Sequence, residues 1–195
     1  MTYIADQKAQ ARKAAFERRK AAHAAHRAAA SAALTSYLGG LSSRIIAGYL
    51  PIRTEADPVP AMTASAASNR ICVPVVEGKG APLSFREWRP GCALEEGPFR
   101  VMIPVDGAVL VPDLVIVPLA AFNADGYRLG YGGGFYDRTL ERLRQVGSVR
   151  AVGFAYAAQH AGELPLEATD QPLDEVVTEA GVLRFGARRA GPSPG

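Results

Sequence analysis

The chain has 195 residues, 48% hydrophobic and 21% charged, with a mean hydropathy of +0.02, a profile that excludes a disordered or membrane-spanning chain and suffices for a core without crosslinks. Two cysteines, Cys72 and Cys92, and three histidines argue against a disulfide framework and a histidine-based metal centre. Net charge is +3, but the first thirty residues carry seven Lys or Arg against Asp6 and Glu17, a basic segment suited to nucleic acid, an acidic membrane surface, or an anionic substrate such as a nucleotide or polyglutamate chain.

The opening Met1 to Arg19 lacks the apolar centre of a secretory signal and no run is long enough for a membrane span, so a cytoplasmic protein is expected. From Ile4 to about Ala33 the chain is rich in Ala, Arg, Lys and Glu and free of Gly and Pro, which predicts one long helix that Gly39 and Gly40 stop. Lys8 and Arg12 lie four apart on one of its faces; His23 and His26 are assigned to its solvated face. Arg44 to Leu50 reads as a buried strand ending at Pro51, Pro58 to Ser68 as a short helix, and Arg70 to Val76 as the strand completing a strand-helix-strand unit. Glu77 to Gly80 forms a turn, Leu83 to Trp88 alternates like a strand, and Arg89 to Val109 is a connection bearing Pro and Gly. Leu114 to Leu119 is the most apolar strand and is expected at the centre of the sheet.

The segment Arg128-Leu129-Gly130-Tyr131-Gly132-Gly133-Gly134-Phe135-Tyr136-Asp137-Arg138 then leads into a helix on which Tyr136, Leu140 and Leu143 recur at helical spacing until Gly147. A glycine loop between strand and helix can bring its N–H groups close to an anion, with the helix dipole adding to the attraction. Neither standard phosphate signature fits. Phe135 and Tyr136 stand where a Walker loop needs Lys and Ser or Thr, and the dinucleotide fingerprint meets Phe135 or Asp137 where it needs its third glycine. The other reading of the glycines is tight strand-to-helix packing. Val149 to Tyr156 and Glu175 to Thr178 supply further strands, which together predict an α/β fold: a three-layer sandwich with a mostly parallel central sheet, a long basic N-terminal helix, one domain over 1–185, and a disordered tail over 186–195.

Those residues resemble the signature of the 5-formyltetrahydrofolate cyclo-ligase (5,10-methenyltetrahydrofolate synthetase) family. Lys8-Ala-Gln-Ala-Arg12 with Arg19, Tyr49 to Asp57, Arg86 to Gly91, Asp113 to Pro118 and Leu173 to Glu179 resemble their counterparts in order, so the similarity spans about residues 8 to 183. Phe135 stands where the family more often has tyrosine, Ala11 replaces a usual leucine, and the tail after Arg184 has no counterpart. The resemblance implies an ATP- and magnesium-dependent enzyme. In that reaction the N5-formyl oxygen of 5-formyltetrahydrofolate attacks the γ-phosphate, N10 closes the ring, and 5,10-methenyltetrahydrofolate leaves with ADP and phosphate, a transfer that asks for positioning and charge neutralisation.

Carried over to this chain, the resemblance implies that Lys8, Arg12 and Arg128 to Tyr136 contact ATP, with Arg128 and Arg138 as donors to the transferred phosphate and Asp137 and Asp174 holding magnesium. Glu55 would bind the reduced pterin through its N–H groups, with Tyr49, Trp88 and Tyr136 lining the folate side; a core position is the alternative for Trp88. The partner is a folate, with no nucleic acid or membrane, and the chain is expected to be a monomer. Two other readings remain open: a non-catalytic nucleotide-binding regulator of the same fold, and a nucleic-acid-binding protein built on the basic helix, whose basic residues are not interleaved with aromatics.

Overall fold

The computed structural model describes residues 3–186. Helix α1, Tyr3–Gly39, runs longer than predicted because nothing in it opposes helix formation before Gly39. Its buried stripe, Lys8, Ala15, Arg19, Ala22, Ala30, Leu34 and Leu38, recurs at helical spacing, small and charged at the amino end and leucine-rich at the other. Strand β1 is only Ile45–Ala47. The chain leaves the sheet after Gly48, whose N–H still bonds Cys72 O at 2.9 Å and where a Cβ would stand 2.4 Å from Met62 Sδ. Helix α2 (Val59–Ser65) returns the chain to β2 (Arg70–Val75), parallel to β1, and β3 (Ser84–Trp88) pairs antiparallel at the edge.

The connection expected to be irregular contains a hairpin, β4 (Leu94–Glu96) with β5 (Met102–Pro104), whose tip at Phe99 and Arg100 has φ near 60° in both residues. Strand β6 (Leu114–Pro118) is followed by a second unforeseen hairpin, β7 (Ala121–Phe122) with β8 (Arg128–Leu129), so Arg128 and Leu129 sit on a strand rather than in the loop. Helix α3 (Phe135–Val146) crosses to β9 (Arg150–Phe154), and β10 (Glu175–Thr178) is followed by an antiparallel edge strand, β11 (Gly181–Arg184). The sheet order is β11-β10-β9-β6-β1-β2-β3, with β6 at its middle as expected and the strands from β10 to β2 mutually parallel.

Alternate residues of the inner strands face opposite layers. Ile46, Ile71, Ile116 and Val152 pack beneath α1 and α2, whereas Ala47, Cys72, Val117 and Ala151 pack against Leu140 and Leu143 of α3. This is the predicted three-layer α/β sandwich. The expected disordered tail falls, apart from Gly186, outside the described residues. No described helix is long and apolar enough to cross a membrane.

Candidate active site

A cavity of about 690 Å³ opens beyond the carboxyl ends of β1, β2 and β6, reached by Leu50, Val76 and Pro118. There the chain's crossovers diverge: β1 connects to β2 through α2 on one face, and β6 to β9 through α3 on the other. Divergence between neighbouring strands leaves a crevice, where ligands of open α/β sheets bind.

One wall is the segment from Arg128 to Arg138. Gly132 and Gly134, at φ 97° and 63°, take left-handed conformations that fold the loop back and start α3 at the cavity. No acceptor among the described residues takes the N–H groups of Tyr131, Gly132 or Gly133. Two arginines hold the loop by its carbonyls instead: Arg12 Nε donates to Gly130 O at 2.9 Å, and Arg138 Nη2 donates to Gly133 O at 2.6 Å. A curled loop with unused N–H groups beside a helix amino terminus has the geometry to receive an anion.

Buried Arg128 donates through Nη2 to Asp137 Oδ1 at 2.8 Å and through Nη1 to Gln171 O. Asp137 Oδ1 also accepts the Gln171 N–H at 3.0 Å, so both bonds fall on one oxygen, and Oδ2 takes none among the described residues. Lys8 reaches across to Glu167 Oε2 at 2.7 Å and Asp170 Oδ2 at 2.9 Å. Burial disfavours its charge, but these two carboxylates outweigh that effect and raise its pKa. The cavity is therefore not a basic hole: Lys8, Arg12, Arg128 and Arg138 on its walls face Glu55, Asp137, Glu141, Glu167 and Asp170.

The facing wall carries Glu55, which is 4% exposed and lines the cavity. Its Oε2 accepts the Ile52 N–H at 2.9 Å, closing a turn in which Arg53 has φ 55°. Burial pushes the carboxyl above its ordinary value, against the Ile52 N–H, the Arg19 charge and Tyr131, which favour the carboxylate. Tyr49, whose hydroxyl donates to Ala56 O at 2.7 Å, and Tyr136 stand beside it, both held un-ionised by burial and then by the Glu55 charge. From the β4–β5 hairpin Phe99, 66% exposed, meets the Phe135 ring edge-on at 5.7 Å across the opening.

The structure brings every sequence-predicted site residue to this cavity except two. Trp88 pairs with Ile71 at the far edge of the sheet and is buried in the core beneath α1 and α2, where its large apolar surface is better satisfied than at a wet wall. Asp174 also lies off the cavity: its Oδ2 accepts the Ala151 N–H at 2.7 Å and Arg144 Nη2 at 3.3 Å, tying the entry of β10 to β9. His23 is not on the solvated face; its Nδ1 lies 2.9 Å from Tyr156 Oη. Sequence reasoning gave no site role to Phe99, Glu167 and Asp170 at the cavity, nor to Arg19 behind it, although Arg19 stood in the basic start that resembles the family. Of these only Arg19 leaves a trace in the sequence, a charge at a position of the buried stripe of α1.

The model of the 5-formyltetrahydrofolate cyclo-ligase family matches residues 4–179. Among curated relatives, the 5-formyltetrahydrofolate cyclo-ligase of Escherichia coli is 32% identical over 163 residues, covering 80% of this chain and 89% of the relative. That of Mycolicibacterium smegmatis is 31% identical over 183 residues, covering 88% and 93%. Among solved structures, the 5,10-methenyltetrahydrofolate synthetase of Aquifex aeolicus superposes with a TM-score of 0.75 at 31% identity, over 95% of this chain and 96% of that one.

Proposed function

The chain belongs to the 5-formyltetrahydrofolate cyclo-ligase family, and from that premise we propose that it converts 5-formyltetrahydrofolate to 5,10-methenyltetrahydrofolate at the expense of ATP, with magnesium. The observation that carries this reading is a single cavity with an anion-receiving glycine loop on one wall and a buried carboxylate, Glu55, on the other. The loop N–H groups, Arg12 and Lys8 bind the triphosphate, while Arg128 and Arg138 stand at the transferred group. Glu55 accepts hydrogen bonds from the pterin N–H groups through the oxygen that Ile52 leaves unused.

Magnesium fits the residues present. It is ordinarily held by one or two carboxylates with substrate phosphates and water, and Asp137 offers Oδ2 on the cavity wall. With five carboxylates to four cations around it, a triphosphate needs a divalent cation to enter; when bound, the ion draws charge from the phosphate oxygens during transfer. The side chains meanwhile hold the formyl oxygen and γ-phosphate in line, and the apolar contribution of Phe99, Phe135 and Val101 excludes water from the activated formyl group. N10 then closes the ring and phosphate departs.

The test is turnover by purified protein, followed by the near-ultraviolet absorbance of the methenyl product. Product requires 5-formyltetrahydrofolate, ATP and a divalent cation together; product without nucleotide, or none with all three, refutes the reading. Buried Lys8 and Arg19 and half-buried Arg12 also remove three cations from the basic face that a nucleic-acid-binding helix would present.

A further inference from the structure

Arg19 belongs to neither wall and touches both. It is 2% exposed, on the buried stripe of α1 between Ala15 and Ala22. Its Nε donates to Thr54 Oγ1 at 3.1 Å, in the turn that carries Glu55, and its Nη2 donates to the Tyr131 hydroxyl at 2.8 Å, in the glycine loop. The rings of Phe16 and Tyr131 lie 5.0 and 5.4 Å from its guanidinium carbon. Nη1 is buried with no hydrogen-bond partner among the described residues. A buried cation left partly unsatisfied is costly, and an apolar side chain packs such a position more cheaply. Its retention needs a reason other than stability.

We propose that Arg19 is a positioning residue that couples the two walls: gripping Tyr131 and Thr54 on one planar guanidinium, it transmits the ordering of the glycine loop by nucleotide to the Glu55 turn, and the reverse. The inference rests on the functional reading above and deepens it. The two gripped segments are far apart in the chain and meet at the Tyr131 hydroxyl, which Arg19 holds where it faces the Glu55 carboxylate; otherwise the Glu55 turn closes on Ile52, and the loop is held by Arg12 and Arg138. A rigid fork with fixed donor angles is suited to such a link, whereas an ammonium is a compact point charge whose three donors rotate freely and hold no fixed angle between two partners. Coupling of this kind is reciprocal by linkage, so each ligand raises the affinity for the other by one factor. The enzyme gains a bias toward the ternary complex over a nucleotide-only complex open to hydrolysis.

The test is a set of calorimetric titrations with a non-hydrolysable ATP analogue and magnesium, with and without 5-formyltetrahydrofolate, and the reverse pair. In the unaltered protein each ligand tightens the other about fivefold or more. Thr54→Val removes one grip without altering a cavity residue, and should bring that factor near one while each separate affinity stays within about threefold. Tyr131→Phe removes the other grip together with the hydroxyl that faces Glu55, and should also abolish the factor, which as a ratio is unaffected by any loss in either separate affinity; Thr54→Val is the variant that isolates Arg19. Arg19→Lys, if it folds, should behave as both together, and the Thr54→Val Tyr131→Phe pair should lose no more coupling than either alone. Coupling undiminished in Thr54→Val and Tyr131→Phe, or absent from unaltered protein that binds both ligands, overturns the proposal. Failure of unaltered protein to bind either ligand overturns the functional reading instead.

Discussion

The two walls of the cavity are made by opposite means. The glycine wall is one continuous stretch from Arg128 to Arg138 and offers mainly backbone N–H groups, shaped by residues without side chains at Gly132 and Gly134. The facing wall gathers Tyr49 and Glu55 from the connection after β1 and Phe99 from the β4–β5 hairpin, and offers side chains, one of them a carboxylate that burial penalises. A wall of backbone is vulnerable to what is added, a wall of side chains to what is removed. Variants that distinguish these two vulnerabilities either sharpen the contrast or break it.

The largest effect is expected at the end of the glycine wall, where a side chain does matter. Asp137→Asn keeps an acceptor for Arg128 and Gln171 but removes the charge proposed to hold magnesium, so turnover should fall about a hundredfold or more. Stability should drop only about 1 to 2 kcal/mol, the difference between charge-assisted and neutral hydrogen bonds to buried Arg128. Melting and specific activity separate the two: a large melting loss with activity intact assigns Asp137 to structure alone.

On the facing wall, Glu55→Gln should weaken the proposed charge-assisted bond to the pterin by about 1.5 to 3 kcal/mol, roughly ten- to a hundredfold in folate affinity. Nucleotide affinity measured alone should hardly move; equal loss of both ligands would merge the walls into one cooperative unit. Gly132→Ala adds a single methyl at φ 97°, where its Cβ stands 3.2 Å from the Arg12 guanidinium. The left-handed conformation costs an L residue about 1 to 2 kcal/mol, and displacement of the loop should weaken nucleotide binding by about tenfold. Folate affinity measured alone stays as it was.

The smallest effect is on stability against pH. Burial raises the folded pKa of Glu55 above 4.5, so folding favours its protonated form. That contribution is full below the unfolded value and is lost as pH rises through the folded one. Glu55→Gln should therefore be slightly more stable than the unaltered protein near neutral pH, with the gap closing toward pH 4.5, in parallel chemical denaturation series. A gap that widens on acidification contradicts the direction of the shift.

The same contrast explains what the sequence disclosed. The glycine wall is contiguous, so its residue types and spacing lay side by side and pointed to phosphate before any fold was known. The central place of β6 was legible from its unbroken apolar run, and the helical span of α1 from the absence of Gly and Pro. The hairpins β4–β5 and β7–β8 were not, because strands of two or three residues hold too little alternation to register. Asp174 carries the family pattern, yet its carboxylate is engaged by the Ala151 N–H, a tertiary bond that spacing does not encode. Arg19 was hidden for another reason: in an alanine-rich helix charge reads as solvent exposure, and only the fold reveals that its partners lie in two distant loops.

The near-balance of charge around the cavity, four cations among five carboxylates, has a kinetic consequence. Long-range attraction accelerates encounter only where a surface presents a sustained excess of one sign. Here Lys8 is already answered by Glu167 and Asp170, and Arg128 by Asp137, so the entrance projects little field toward an approaching polyanion. On the proposed function, recognition of the nucleotide is thus deferred to close range, where fixed N–H groups and arginine forks would act. Its association rate should depend only weakly on ionic strength, although the chain as a whole is basic.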